Sequence, residues 1–324
     1  MSEFRDYLIG EYLDEFHSGL MSRRELLRRL TLITGSAASA FALLELTGCQ
    51  GPPSGRPSPA EPAPPASQPV STPQPFATPP ATPTPDGVTV RPDDPRIQVM
   101  PLPVQAADGA SLISYYVRPA REEPAGGVLV VHENRGLVTH IKDVVRRVAT
   151  AGFSALAVDL LSRQGGADQL SDPAAYAALL SARESMAMVS DLSQALTALS
   201  ATGIGDRRGV TGFCFGGGMT WQLLAAGTQV EAAVPFYGPP PQNLAGLSRT
   251  RAAVLAIYAE RDVRITNTSE QIAQQLSRTG RPYQIKIYPG VDHAFHNDTG
   301  PRYNATQAEA AWAATIEWFR EYLR

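Results

Sequence analysis

The stretch RGVTGFCFGGGMTWQLL, residues 208–224, constrains the chain more than any other. A β-type run at Val210-Thr211 feeds Gly212-Phe213-Cys214-Phe215-Gly216, and an apolar helical stretch with Met219, Trp221, Leu223 and Leu224 follows. Strand, tight turn and helix form the context of a nucleophile elbow, G-x-[nucleophile]-x-G, here with cysteine in the serine position. The nucleophile of such an elbow sits where the backbone doubles back, so its neighbours must be small. Gly212 and Gly216 meet that demand, and Gly217 and Gly218 let the new helix pack close. The sulfur then lies at a helix N-terminus, where N–H groups without intrahelical partners and the macrodipole favour a thiolate. The N–H of Phe215 points to where an oxyanion would form. A glycine-rich turn around a buried structural cysteine fits the same residues, so the rest of the chain must decide.

From about Ile97 onward, strands and helices alternate. Leu102–Ala106 and Ser111–Arg118 read as a hairpin turning at Asp108-Gly109. The run GVLVVH at 127–132 is continuously apolar, as in a parallel strand buried on both faces. Helical spacing follows over 141–151 and 172–202, with strands at 154–158, 232–236, 253–258 and 283–288 and helices at 269–277 and 305–323. The alternation predicts one α/β domain, a doubly wound, mainly parallel sheet with helices on both faces. Sites in such sheets form at the carboxyl ends of strands. Asp262, in YAERDVRI, follows one strand, with Glu260 as its competitor. His293, in YPGVDHAFHND, follows the next, with His296 close by and Asp292 as a second rival acid. A nucleophile–acid–histidine order selects Cys214, Asp262 and His293 from these candidates.

The chain has 324 residues, 43% of them hydrophobic, and a formal net charge of −3, so no basic excess points to nucleic acid. Two cysteines cannot make a disulfide framework. The first of them, Cys49, closes a leader spanning 1–49. Residues 1–21 read as a short amphipathic helix; the pairs Arg23-Arg24 and Arg28-Arg29 then precede a mostly apolar run, Leu30 to Leu46. Twin arginines ahead of an apolar core resemble a twin-arginine export signal, which is read by a receptor. The ending Leu46-Thr47-Gly48-Cys49 resembles a bacterial lipobox with Cys49 as the lipidated residue. The expected location is therefore the cell envelope, outside the cytoplasm and held to the membrane by a lipid or by the signal itself. Sixteen of the 28 prolines fall between 51 and 100. A segment of that composition buries too little to offset its ordering entropy, so 50–96 reads as a disordered stalk.

The globular region, 97–324, resembles the dienelactone hydrolase (carboxymethylenebutenolidase) family of α/β-hydrolases. The resemblance rests on HENRGL at 132–137, DLLSRQGG at 159–166, GFCFGGG at 212–218, ERD at 260–262 and DHAFHND at 292–298. It implies an α/β-hydrolase fold and a Cys214–His293–Asp262 triad. Glu133 would hydrogen-bond the cysteine at rest, and Asn134 would supply a second oxyanion N–H beside that of Phe215. Arg163 matches an arginine that holds the substrate carboxylate. A second family arginine, four residues after the histidine, is Asn297 here, and Arg302 is the nearby cation that could replace it. The activity implied is cleavage of a small-molecule ester or lactone through a thioester acyl-enzyme. An acyltransferase on the same fold and a non-catalytic ligand-binding lipoprotein are the alternatives. No ligand cluster or phosphate loop stands out, so neither metal nor cofactor is expected. Nothing in the sequence sets an oligomeric state.

Overall fold

The computed structural model describes residues 3–46 and 88–323. Cys49 and nearly all of the proline-rich segment lie outside the described residues. The chain divides into two compact units, residues 12–82 and residues 1–11 together with 83–324. Helix α1 (Glu3–His17) contributes its first residues to the larger unit, where Phe4, Tyr7, Leu8 and Glu11 are buried.

In the smaller unit, α2 (Arg23–Thr34) begins at Ser22, whose Oγ accepts from the Glu25 N–H at 3.2 Å. Arg23 and Arg24 are exposed in its first turn. It ends at Gly35, whose φ of 72° breaks the apolar run before α3 (Ala37–Leu46) begins. The run expected from Leu30 to Leu46 is thus two helices. Among the described residues, no helix is long and apolar enough to cross a membrane.

The larger unit opens with β1 (Ile97–Met100), the short pair β2 (Val104–Gln105) and β3 (Ser111–Leu112), and then β4 (Ser114–Pro119). The expected hairpin forms between β2 and β3, after which β4 leaves it for the main sheet. The chain continues through β5 (Gly127–Val131), α4 (Thr139–Thr150), β6 (Ser154–Val158), α5 (Pro173–Ala182) and α6 (Ser185–Leu199). Next come β7 (Arg208–Phe213), α7 (Phe215–Ala225), β8 (Ala232–Phe236), β9 (Ala253–Ala259), α8 (Val263–Thr266), α9 (Ser269–Leu276), β10 (Tyr283–Tyr288) and α10 (Ala305–Tyr322). The eight-stranded sheet runs β1-β4-β6-β5-β7-β8-β9-β10. It is parallel from β6 to β10 and antiparallel only at β1 and β4. Every residue of β5, β6, β8 and β9 is buried, as their continuous apolar runs require. Two glycines of β7 show how the sheet is covered. A Cβ on Gly209 would strike Phe319 of α10, whereas one on Gly212 would strike Gly216 and Thr220 of α7. Residues three apart on a strand point to opposite faces, so α7 and α10 cover opposite sides.

Two boundaries differ from expectation. The helical spacing over 172–202 is interrupted where Arg183 turns extended, its guanidinium drawn to Asp191 at 2.9 Å. The compact unit also begins before 97. Asp143 of α4, fully buried, accepts from the N–H groups of Thr89 and Val90 at 3.1 and 2.8 Å and pairs with Arg146 and Arg147. Proline content hides this short docked segment, because the groups that hold it are mostly backbone.

Helix α7 crosses close over the end of β5. A Cβ on Gly216 would lie 2.3 Å from the Val131 carbonyl oxygen and 2.6 Å from that of His132. Both obstacles are backbone, which cannot swing aside. Gly216→Ala is expected to cost about 3 kcal/mol, the upper end of overpacking effects, measured as a fall in the denaturant midpoint with unchanged slope.

Candidate active site

Cys214 stands between β7 and α7 with φ 57° and ψ −118°, a left-handed conformation that a side chain adopts only under constraint. Its N–H donates to the Phe236 carbonyl at 3.1 Å, and its own carbonyl accepts from Gly218 at 3.1 Å. Gly212 makes the turn possible, since a Cβ there would sit 2.2 Å from the Gly216 oxygen. Phe215 opens α7, so its N–H has no intrahelical partner. Asn134 lies in the turn just after β5, the strand paired with β7, on the same carboxyl edge.

His293 follows β10, and its Nδ1–H donates to Asp262 Oδ2 at 2.6 Å, with both side chains buried. The structure thus joins the histidine and the acid chosen from chain order. Their rivals have other occupations. Glu260 accepts from the Gly290 N–H at 2.7 Å, and Asp292, half exposed, lies 3.6 Å from Arg261. His296 is stacked on Phe213 with ring centroids 4.9 Å apart, and burial holds its pKa well below the ordinary value. His132 donates to the Glu133 carbonyl and accepts from the Leu160 N–H. His140 pairs with Asp298 at 2.9 Å.

Two residues of α1 complete the group, and neither was singled out from sequence. The Tyr7 hydroxyl is 3.1 Å from Cys214 Sγ and 3.3 Å from His293 Nε2. Glu11 Oε2 is 3.4 Å from His293 Nε2 and 3.9 Å from the sulfur. The Glu11 carboxylate also meets Arg302 at 3.5 Å and Arg264 at 3.8 Å. The only signal was the spacing of Phe4, Tyr7, Leu8 and Glu11, one face of a helix. These charges set the protonation of the site. Burial raises the Cys214 pKa and Glu11 raises it further, against the pull of His293. Burial disfavours the His293 cation, yet the carboxylates of Glu11 and Asp262 overcome it and hold that pKa well above its ordinary value.

Two expected contacts are not made. Glu133 does not bond the thiol; its Oε2 accepts from Asn297 Nδ2 at 2.7 Å, so the residue standing in the arginine's place holds the glutamate. The structure also does not bring Arg163 to this group. Its guanidinium is engaged by Asp191 at 2.7 Å and Asp108 at 2.9 Å. Arg302 does reach the site, through Glu11. Among the described residues, Glu11, Cys214 and His293 bring three potential metal ligands within 4.8 Å of one another, but the Tyr7 hydroxyl bonds two of these atoms.

Comparison with known proteins shows the family to which the chain belongs. Residues 112–323 match the model of the dienelactone hydrolase family. A carboxymethylenebutenolidase homologue from Escherichia coli (strain K12) is 33% identical over 230 residues, spanning 67% of this chain and 84% of that protein. Another, from Methylorubrum extorquens, is 34% identical over 222 residues, or 64% of this chain and 76% of that protein. The crystal structure of a dienelactone hydrolase homologue from Klebsiella pneumoniae superposes with a TM-score of 0.63 at 30% identity, covering 70% of this chain and 99% of that one.

The raised thiol pKa has a direct readout. Iodoacetamide reacts with the thiolate, so alkylation of Cys214 in the full-length chain should rise with pH through an inflection above the ordinary thiol value of about 8.5. The groups facing the sulfur are Tyr7, Glu11, Glu133 and His293. Removing a negative charge favours the thiolate, so Glu11→Gln should move the inflection to lower pH. Fast alkylation that stays flat below neutrality would instead mean a pre-formed thiolate–imidazolium pair.

Proposed function

Since the chain belongs to the dienelactone hydrolase family, whose members are carboxylic ester hydrolases acting on small molecules, we propose that it cleaves esters or lactones through Cys214. The observation that carries this is the hydrogen bond from His293 to Asp262, made beside a cysteine held in a strained elbow. In the proposed cycle the substrate displaces the Glu11 carboxylate that favours the His293 cation, and the thiol proton then passes to the neutral His293 Nε2 as Sγ attacks the acyl carbon. The carbonyl oxygen becomes an oxyanion facing the N–H groups of Phe215 and Asn134. Collapse breaks the acyl–oxygen bond, His293 protonates the departing alkoxide, and a thioester remains. His293 then takes a proton from water, which attacks the thioester and releases acid and thiol. Asp262 fixes the imidazole tautomer and stabilises its cation. Glu133, held by Asn297, contributes a fixed negative charge beside the sulfur. Because Arg264 and Arg302 meet a carboxylate in the site, they are the residues proposed to hold an acidic group of the substrate. Arg163, paired with two aspartates, would serve that role only after leaving them.

Cys214→Ala should abolish turnover of small aryl esters. Asp262→Asn should lower kcat by about 10⁴, as loss of the acid does in serine triads, while Asp292→Asn should change it little. Equal losses at the two aspartates would assign the orienting role wrongly.

The leader adds a location to the proposal. Arg23-Arg24 would direct export and Cys49 would carry the lipid, and two or more acyl chains hold a protein firmly at a membrane. The intact mass of membrane-extracted protein should correspond to a chain starting at Cys49 with acyl groups. A mass retaining residues 1–48 without lipid would remove the lipoprotein part of the proposal.

A further inference from the structure

The contacts of Phe4–Glu11 are those of a ligand in the site. The Tyr7 hydroxyl touches both atoms that would exchange the thiol proton. A carbonyl carbon about to be attacked must come within about 3–3.5 Å of the sulfur, and Tyr7 Oη already stands 3.1 Å from it. Glu11 places its carboxylate against Arg264 and Arg302 while its other contacts reach His293 and the sulfur. Phe4 packs on Phe215, the residue after the nucleophile, with centroids 4.6 Å apart. The Arg264 guanidinium lies over the Tyr7 ring at 4.9 Å, and its side chain runs along Gly10. A helix that merely filled a gap in the core would need only apolar residues on its buried face. Beside Phe4 and Leu8, this one buries a phenol and a carboxylate, each matched to a reactive or cationic group.

We propose that residues 4–11 form an intramolecular pseudosubstrate, which keeps the Cys214 site closed until the leader is severed from the catalytic unit. The proposal rests on the hydrolase reading only for what the opened site does; the closure rests on the contacts themselves. Tethered through the proline-rich segment, the helix faces its site at an effective concentration of about millimolar. Once the chain is cut between them, that advantage disappears and the short helix dilutes away. Glu11 contributes twice, occupying an anion subsite and disfavouring the thiolate that would attack.

The test uses the full-length chain carrying Cys49→Ala, so that nothing is lipidated, with a specific protease site inserted between Ser67 and Gln68. Two rates are followed before and after the cut, both at low protein concentration. One is alkylation of Cys214 by iodoacetamide, read by mass; the other is aryl-ester turnover. Cutting should raise both by about tenfold or more, the scale of losing buried hydrogen-bonded contacts. In the uncut chain, Tyr7→Ala with Glu11→Ala should do the same, whereas Asp6→Asn, on the exposed side of the helix, should change neither. A synthetic peptide of residues 1–17 should slow the cut protein again. Equal alkylation rates before and after cutting would overturn the closure, even if esters are hydrolysed. Faster alkylation after cutting, with no ester hydrolysed, would uphold the closure and remove the hydrolase reading instead.

Discussion

Everything in the site depends on one backbone crossing, where the chain leaves β7, reverses at Cys214 and starts α7 against the end of β5. Gly212, Gly216 and the carbonyls of Val131 and His132 are in contact there with no room for a side chain. Because the obstacles are main-chain atoms, the turn cannot relax by moving a rotamer. That rigidity holds Cys214 at a positive φ and keeps its sulfur above the sheet edge. The loops after β5, β9 and β10 end at the same edge, which brings Glu133, Asp262 and His293 around the sulfur. A parallel sheet achieves this because its strands all finish on one side.

Around that turn the balance is electrostatic. Cys214 and His293 are buried, and burial penalises the charged form of each. Asp262 alone suits a histidine that must become positive during a reaction. Adding Glu11 stabilises the imidazolium and opposes the thiolate, so the same pair is shifted toward a protonated sulfur. Arg264 and Arg302 offset the cost of burying the Glu11 carboxylate. The arrangement is self-consistent, and it is one in which the Cys214 thiol is held toward its protonated form.

The two contacts that departed from the family resemblance have separate causes. Where the family has an arginine after the histidine, this chain has Asn297, a neutral side chain whose amide donates to Glu133. The glutamate is thereby turned from the thiol, and the guanidinium groups that reach the site, those of Arg264 and Arg302, meet Glu11 instead. Arg163 is matched by sequence, but a pair of aspartates far from it in the chain, Asp108 and Asp191, fixes its guanidinium. A motif records which residue is present at a position and not which partner the fold offers it.

Much of the architecture was legible before any coordinates. The runs GVLVV, SALAV and AVLAIY read as strands, the first as one covered on both faces, and glycines flanking a cysteine between a strand and a helix leave few turns available. Chain order then selected Asp262 and His293, because the carboxyl ends of successive parallel strands become neighbours without further information. What only the tertiary structure decided was where residues 4–11 are placed. Their spacing announces an amphipathic helix and nothing more, since periodicity tells which residues share a face but not what the face meets. Tyr7 and Cys214 are separated by 207 positions, and no local rule links them. A phenol and a carboxylate become meaningful on a buried helical face only when the fold sets a thiol, an imidazole and two guanidinium groups opposite them.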